Sequence, residues 1–301
     1  MRIVAVGKYI PEKRVSNYKK AEGFGRKDSF IDKKIGFRQL SVADKDETIL
    51  DMCMKAYEDL ISKVKIDPDK LDLITTVVQR PDQFMPNMSS VIHNSVGASK
   101  KCMAFDIVHA CSGYAAALRV VNAMGVKYAL IFTADKYSDV VSEKDENVAM
   151  IFADGATATL LSVDEAGYEI IDYDMGTLPD SWQCITGKEY IKMDGALIFR
   201  NASFEVPESI ERVLSRNHLV KDDIDKILLH QATKKIVEFI SLQMKCEDKI
   251  EFCAGDYGNT GQSSIPMELS DINDLSIYKR LILCGFGAGF SWGTILLQYQ
   301  Q

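Results

Sequence analysis

Several stretches of this sequence carry residue types that could do chemistry together. Cys111 stands in Asp106-Ile-Val-His-Ala-Cys-Ser-Gly-Tyr114, where an apolar strand over 104–108 gives way to a helix. Unpaired N–H groups and the macrodipole at a helix N-terminus favour a thiolate, so Cys111 is the one cysteine whose local sequence predicts a lowered pKa and nucleophilic character. A buried structural cysteine fits the same local pattern. His230 ends the apolar run 227–229 in Leu-Leu-His-Gln-Ala-Thr, as a catalytic group or as a satisfied turn residue. The turn 285–293, Gly-Phe-Gly-Ala-Gly-Phe-Ser-Trp-Gly, follows a strand over 281–284. No helix and no Lys-Ser/Thr follow it, which argues against a phosphate loop. Its small residues would let a backbone N–H approach a carbonyl oxygen, as an oxyanion hole requires, although a plain tight turn explains them too. The remaining histidines read as structural: His93 within a helix, His218 in an exposed turn, His109 as a neighbour shaping the Cys111 loop.

Positioning these groups takes an α/β framework. Leu50, Cys53, Tyr57, Leu60 and Val64 recur at helical spacing, the apolar run 71–78 reads as a buried strand, and the apolar runs 102–108 and 128–133 read as further strands with an Ala-rich helix over 111–124 between them. Strand and helix alternate, which implies a sheet covered by helices. The second half repeats the pattern. Residues 71–79 resemble 224–231, 128–132 resemble 279–283, and 155–161 resemble 291–297, in the same order, which favours an internal duplication into halves 1–163 and 164–301. The junction equivalent to the Cys111 loop is then 251–261, with a strand at its start and Asn259 where Cys111 stands in the first half. In open α/β sheets sites lie beyond the carboxyl ends of the strands, where Cys111, His230 and Asn259 would all fall. No flexible linker separates the halves, so a shared interface is expected. Pro207 suits the first turn of a helix running to about residue 217.

Composition narrows the class. A chain of 301 residues with 47% hydrophobic content can bury a large core. A formal charge of −7 and a pI near 5.3 oppose nucleic-acid binding, which needs a basic footprint. No apolar run reaches the ~18 residues of a membrane span, and the opening segment lacks a signal peptide's apolar stretch, so no membrane partner and a cytoplasmic protein are expected. The seven cysteines show neither a disulfide framework nor zinc-ligand spacing.

The same residues resemble the β-ketoacyl-ACP synthase III branch of the thiolase superfamily. The matching segments are Gly36-Phe-Arg38, the Cys111 loop, Phe152-Ala-Asp-Gly-Ala156, Met193-Asp-Gly195, His230-Gln-Ala232, Tyr257-Gly-Asn-Thr260 and the turn 287–293, in order over nearly the whole chain. The resemblance implies a duplicated five-layer αβαβα fold, usually a homodimer, and a ping-pong decarboxylative Claisen condensation needing no metal or redox cofactor. Cys111 would carry the acyl group from an acyl-CoA or acyl-ACP, and His230 and Asn259 would hold the thioester oxygen of malonyl-ACP. The N–H groups of Cys111 and Ala288 would form the oxyanion hole. Phe30, Lys34 and Thr233 fall at channel positions of the family. Phe30 and Lys34 stand in place of a tryptophan and an arginine, and Thr233 replaces an asparagine. Glu146 falls where the family has a second arginine and would repel a nucleotide phosphate, which favours an ACP-bound or otherwise specialised donor. Met85 matches a position that closes the acyl pocket in relatives, within the chain or across a dimer interface, with a plain core methionine as the other reading. Lys234 and Lys235 are expected to dock the acyl carrier protein, against the alternative of an ordinary solvated helix face. Two further outcomes stay open: transfer of the Cys111 acyl group to an amine or alcohol, and a non-catalytic partner subunit.

Overall fold

The computed structural model describes residues 1–301. Its main sheet is built from β1 (Arg2–Tyr9), β2 (Leu73–Val77), β3 (Met103–Ile107), β4 (Tyr128–Asp135), β5 (Gly155–Ser162), β6 (Gly167–Thr177), β7 (Lys226–Leu229), β8 (Arg280–Gly287) and β9 (Ser291–Gln300). The spatial order is β7-β8-β9-β6-β1-β5-β4-β2-β3. Pairing is parallel for β2 with β3 and β4 and for β7 with β8, and antiparallel elsewhere. Outward from β1 the order is β5, β4, β2, and outward from β6 it is β9, β8, β7. The duplication is therefore visible in the topology, with β2, β4 and β5 matched by β7, β8 and β9.

The two-residue period of each strand divides its apolar side chains between two faces. In the first half Ile74, Leu130, Phe132 and Leu160 pack against the helices α1 (Ile49–Lys63) and α2 (Met88–Val96). Their neighbours Leu73, Ala129, Ile131 and Leu161 face the opposite way. In the second half Ile227, Leu229, Ile282 and Cys284 face α4 (Gly195–Arg216) and α5 (Lys234–Met244), while Leu228, Leu281, Leu283 and Ile295 turn inward. The two inward faces share one core with α3 (Gly113–Ala123) and α6 (Ser264–Ser270), which lie between them. Helix, sheet, helix, sheet and helix follow one another: the expected αβαβα layering. No helix is long and apolar enough to cross a membrane.

Local signals set the helix starts. Thr48 and Asp51 close a capping box ahead of α1, and the Asp194 carboxylate accepts the N–H groups of Ala196 and Leu197, both at 3.0 Å, ahead of α4. Two expectations are corrected. Pro207 is not in a first turn but inside the 22-residue α4, buried on its core face. The packing of a long apolar face outweighs the one backbone hydrogen bond that a proline removes. Nor do residues 251–253 form a ladder strand matching β3. The Gln231 side chain takes its place, donating to the carbonyl of Glu251 (3.1 Å) and accepting from the N–H of Cys253 (2.8 Å).

Candidate active site

Cys111 lies in the loop between β3 and α3, 5% exposed. The glycine-rich end of β8 presses onto it. A side chain at Gly287 would come within 2.8 Å of Sγ, and one at Gly285 within 2.8 Å of the Cys111 carbonyl oxygen, so only glycine permits this approach. The N–H groups of Cys111 itself and of Ala288 are directed at the sulfur. A hydrogen-bond chain holds the two loops in register: Ser112 Oγ pairs with Ser291 Oγ at 2.8 Å, and Ser291 Oγ donates to the Ala288 carbonyl at 2.7 Å. The lowered thiol pKa expected from the helix N-terminus is overturned. Burial pushes the Cys111 thiol up to about 12, more than the two N–H groups pull it down.

His230 follows β7, with its N–H on the Cys284 carbonyl (3.0 Å), its ring edge-on to Phe286 and 1% exposure. Burial holds its pKa down to about 3, so the imidazole is neutral at physiological pH, and Nδ1 has no partner. Asn259 is fixed by its main chain, which exchanges hydrogen bonds with Ile151 (3.0 Å) and Ala153 (2.8 Å). Its Oδ1 accepts from the N–H of Gly261 at 2.8 Å. That contact orients the amide, leaving Nδ2 toward His230 Nε2 at 3.5 Å. Cys111, His230 and Asn259 share the inner end of one cavity of about 480 Å³. A second cavity of about 330 Å³ begins at the other side of Cys111, lined by Tyr137, Val140, Phe152 and the hairpin of Ile185–Gly187 and Ile191–Met193. A nucleophile thus stands between two chambers, flanked by N–H groups on one side and an imidazole–amide pair on the other.

The sequence models of the family described as 3-oxoacyl-[acyl-carrier-protein (ACP)] synthase III match residues 105–179 and, for its C-terminal part, 214–299. A β-ketoacyl-[acyl-carrier-protein] synthase III of Geobacillus kaustophilus is 31% identical over 99% of this chain and 98% of that protein. The chain belongs to the 3-oxoacyl-[acyl-carrier-protein] synthase III family. Solved structures agree: the 3-oxoacyl-[acyl-carrier-protein] synthase III of Aquifex aeolicus superposes with a TM-score of 0.92 at 26% identity over 99% of both chains. The corresponding Pseudomonas aeruginosa protein gives 0.90 at 25% identity, over 100% of this chain and 98% of its own.

In this synthase III family member the outer end of the first cavity carries Phe30, Lys34, Thr233 and Lys235, and also Arg26, Glu146 and Phe199. Arg26 and Lys34 both lie over the Phe30 ring, at 5.2 and 5.6 Å from its centroid. Glu146 is not a free repelling anion: it grips the Arg26 guanidinium with both oxygens. Among the charged lining groups Arg26, Lys34 and Lys235 outnumber Glu146, leaving the opening at +2 (3 − 1) in a chain of net charge −7. Thr233 caps α5 through the N–H of Ile236.

The expected lysine pair divides. Lys235 stands at the opening with Nζ over the Phe199 ring (4.9 Å), whereas Lys234 packs toward Gly36 and pairs with Glu238 at 3.8 Å. Successive helix positions diverge by about 100°, so both cannot face one groove. Met85 fits neither of its readings within one chain: it is 75% exposed and lines neither cavity. Arg26 carried no signal in the sequence, because a lone arginine in a charged stretch looks like any solvated surface group.

Proposed function

We propose that the protein is a condensing enzyme, a transferase that joins a Cys111-bound acyl group to malonyl-ACP by a ping-pong decarboxylative Claisen reaction. The observation that carries this reading is the convergence of Cys111, His230 and Asn259 on one cavity, with two N–H groups aimed at the sulfur. In the first half-reaction the Cys111 sulfur attacks an acyl thioester. A carbon–sulfur bond forms, the carrier leaves as its thiol, and the N–H groups of Cys111 and Ala288 stabilise the tetrahedral oxyanion. The buried thiol and the buried imidazole are both neutral at rest, so the Cys111 proton moves as the thioester carbonyl arrives rather than beforehand. In the second half-reaction malonyl-ACP loses CO₂, and its thioester oxygen takes the developing enolate charge. With the proton of the neutral imidazole on Nε2, that group and Asn259 Nδ2 supply two donors to this oxygen. The enolate carbon then attacks the Cys111 thioester and releases the cysteine.

The basic opening supports an acidic carrier protein as the partner despite the net negative charge of the chain. Arg26 and Lys34 flanking Phe30 leave room for either an ACP-bound donor or acyl-CoA. A homodimer is supported by the free edge of β3 and by the exposed Phe84, Met85 and Val108 beside it, at 91%, 75% and 72% exposure. In such a dimer Met85 would lie at the subunit boundary. Seven unpaired thiols suit a reducing cytoplasm. Intact-mass measurement after incubation with acyl-CoAs and acyl-ACPs tests the first half-reaction: a single acyl adduct mapped to Cys111 is expected, and adducts on Cys184 or Cys253 instead would sink the mechanism. Sedimentation at micromolar concentration tests the dimer, which a monomer would exclude.

A further inference from the structure

Three residues beyond Asn259 the chain buries a glutamine that the chemistry above does not use. Gln262 is 1% exposed, and all of its amide is engaged with the first half of the molecule. The two hydrogens of Nε2 are shared among the Ala134 carbonyl (3.0 Å), the Val77 carbonyl (3.3 Å) and the Asp135 carboxylate, at the C-terminal ends of β4 and β2. Oε1 accepts from the Tyr137 hydroxyl at 3.0 Å. Asp135 is itself buried, 2% exposed, and accepts the N–H groups of Gln79 (3.1 Å) and Arg80 (3.0 Å), which continue the chain beyond β2. Such a network is costly to build and worth little as stability unless every member is satisfied, and here the glutamine has partners on both its oxygen and its nitrogen.

The network connects two functional surfaces. Asn259 Oδ1 is oriented by the N–H of Gly261, the residue directly before Gln262. Gly261 has φ +60°, and any side chain there would collide with the Tyr137 hydroxyl. The turn 259–262 is therefore seated on Tyr137. The Tyr137 ring in turn packs against Phe152, tilted by 32° with 5.2 Å between centroids, and both line the second cavity. Phe152 also lines the first.

We infer that Gln262 is a positioning residue: held by Asp135, Tyr137 and the strand ends of the first half, its amide seats the turn that aims the Asn259 amide at the first cavity. The inference rests on the condensing reading above. Because Cys111 and its N–H donors sit on other loops, loss of the Gln262 hydrogen bonds should separate the two half-reactions. In Gln262→Met, which keeps the side-chain length and removes every hydrogen bond, decarboxylation of malonyl-ACP should fall about 10²-fold, the order that a misplacement of about 1 Å costs. Acylation of Cys111 by an acyl thioester should change by less than about threefold, and its stoichiometry counts the folded sites, so a merely destabilised protein would lower both rates in proportion. Equal losses in the two half-reactions, or none, would overturn the inference. If Gln262→Met does not fold, Gln262→Asn takes its place, keeping the amide and withdrawing it by one methylene from its partners. A fall of about threefold or more in decarboxylation with unchanged acylation supports the inference, and unchanged rates for both overturn it. Wild-type protein run alongside separates the two failures: if it neither acylates nor decarboxylates, the condensing reading falls first and the inference with it.

Discussion

Replacing Glu146 with glutamine asks what the channel opening does with a nucleotide. In the native chain Glu146 holds Arg26, with Nη2 to Oε2 at 3.0 Å, so the guanidinium nearest Phe30 is not free to meet a phosphate. The substitution removes one negative charge from the opening and releases that guanidinium. For a phosphate docking roughly 6–8 Å away, one unit charge in a dielectric of about 40–80 changes the interaction by about 0.5–1.4 kcal/mol. A charge-assisted hydrogen bond to the freed arginine adds to this. Together they amount to about 1–2 kcal/mol, or roughly a 5- to 30-fold lower KM for acyl-CoA. Acyl-pantetheine has the same thioester and no nucleotide, so its KM should stay within about twofold. The assay is the rate of Cys111 acylation by intact mass, at low salt and near 1 M salt, where screening over about 3 Å should abolish most of the gain. An unchanged KM for acyl-CoA, or equal improvement for both donors, would refute the electrostatic account of the opening.

Asn259→Ala should still acylate Cys111 yet lose about 10²–10³ in malonyl decarboxylation, measured as CO₂ release, because the amide is a donor to developing charge. Its fold should survive, since the main-chain bonds to Ile151 and Ala153 remain and the side chain's own bond to Gly261 is worth only about 1 kcal/mol. A thiol raised to about 12 is protonated at neutral pH, so alkylation of Cys111 by iodoacetamide should climb steadily from about pH 7 to 10 with the thiolate fraction. A plateau beginning near pH 7 would instead indicate a preformed thiolate. Lys235→Glu should raise the KM for malonyl-ACP several-fold at low salt, and Lys234→Glu, already paired with Glu238, should leave it almost unaltered. Equal effects from the two would move the carrier elsewhere.

How much of this was legible in the sequence follows from the range of the forces involved. The strand-to-helix junction at Cys111, the His230 strand end, the turn at Ala288 and the repeat behind the two halves could be read from the chain, because periodicity, glycine spacing and capping act over a few residues. So could the family, from motifs in a fixed order. The Cys111 pKa could not. The helix N-terminus argument is local, whereas desolvation sums over side chains contributed by both halves, and the sum wins. The division of Lys234 from Lys235 depends on where α5 is seated against Phe199 and Gly36. Met85 looks like a pocket or core residue in sequence and is exposed in the chain, since its surroundings are set by how far the loop between β2 and α2 stands from the sheet. The second-half counterpart of β3 is absent, its place taken by the Gln231 side chain, and Arg26 and Gln262 acquire meaning only through partners about 120 or more residues away, Glu146 and Asp135. Local composition determined which chemistry was available; burial and long-range pairing decided which groups are charged, which are aimed, and which are free to act.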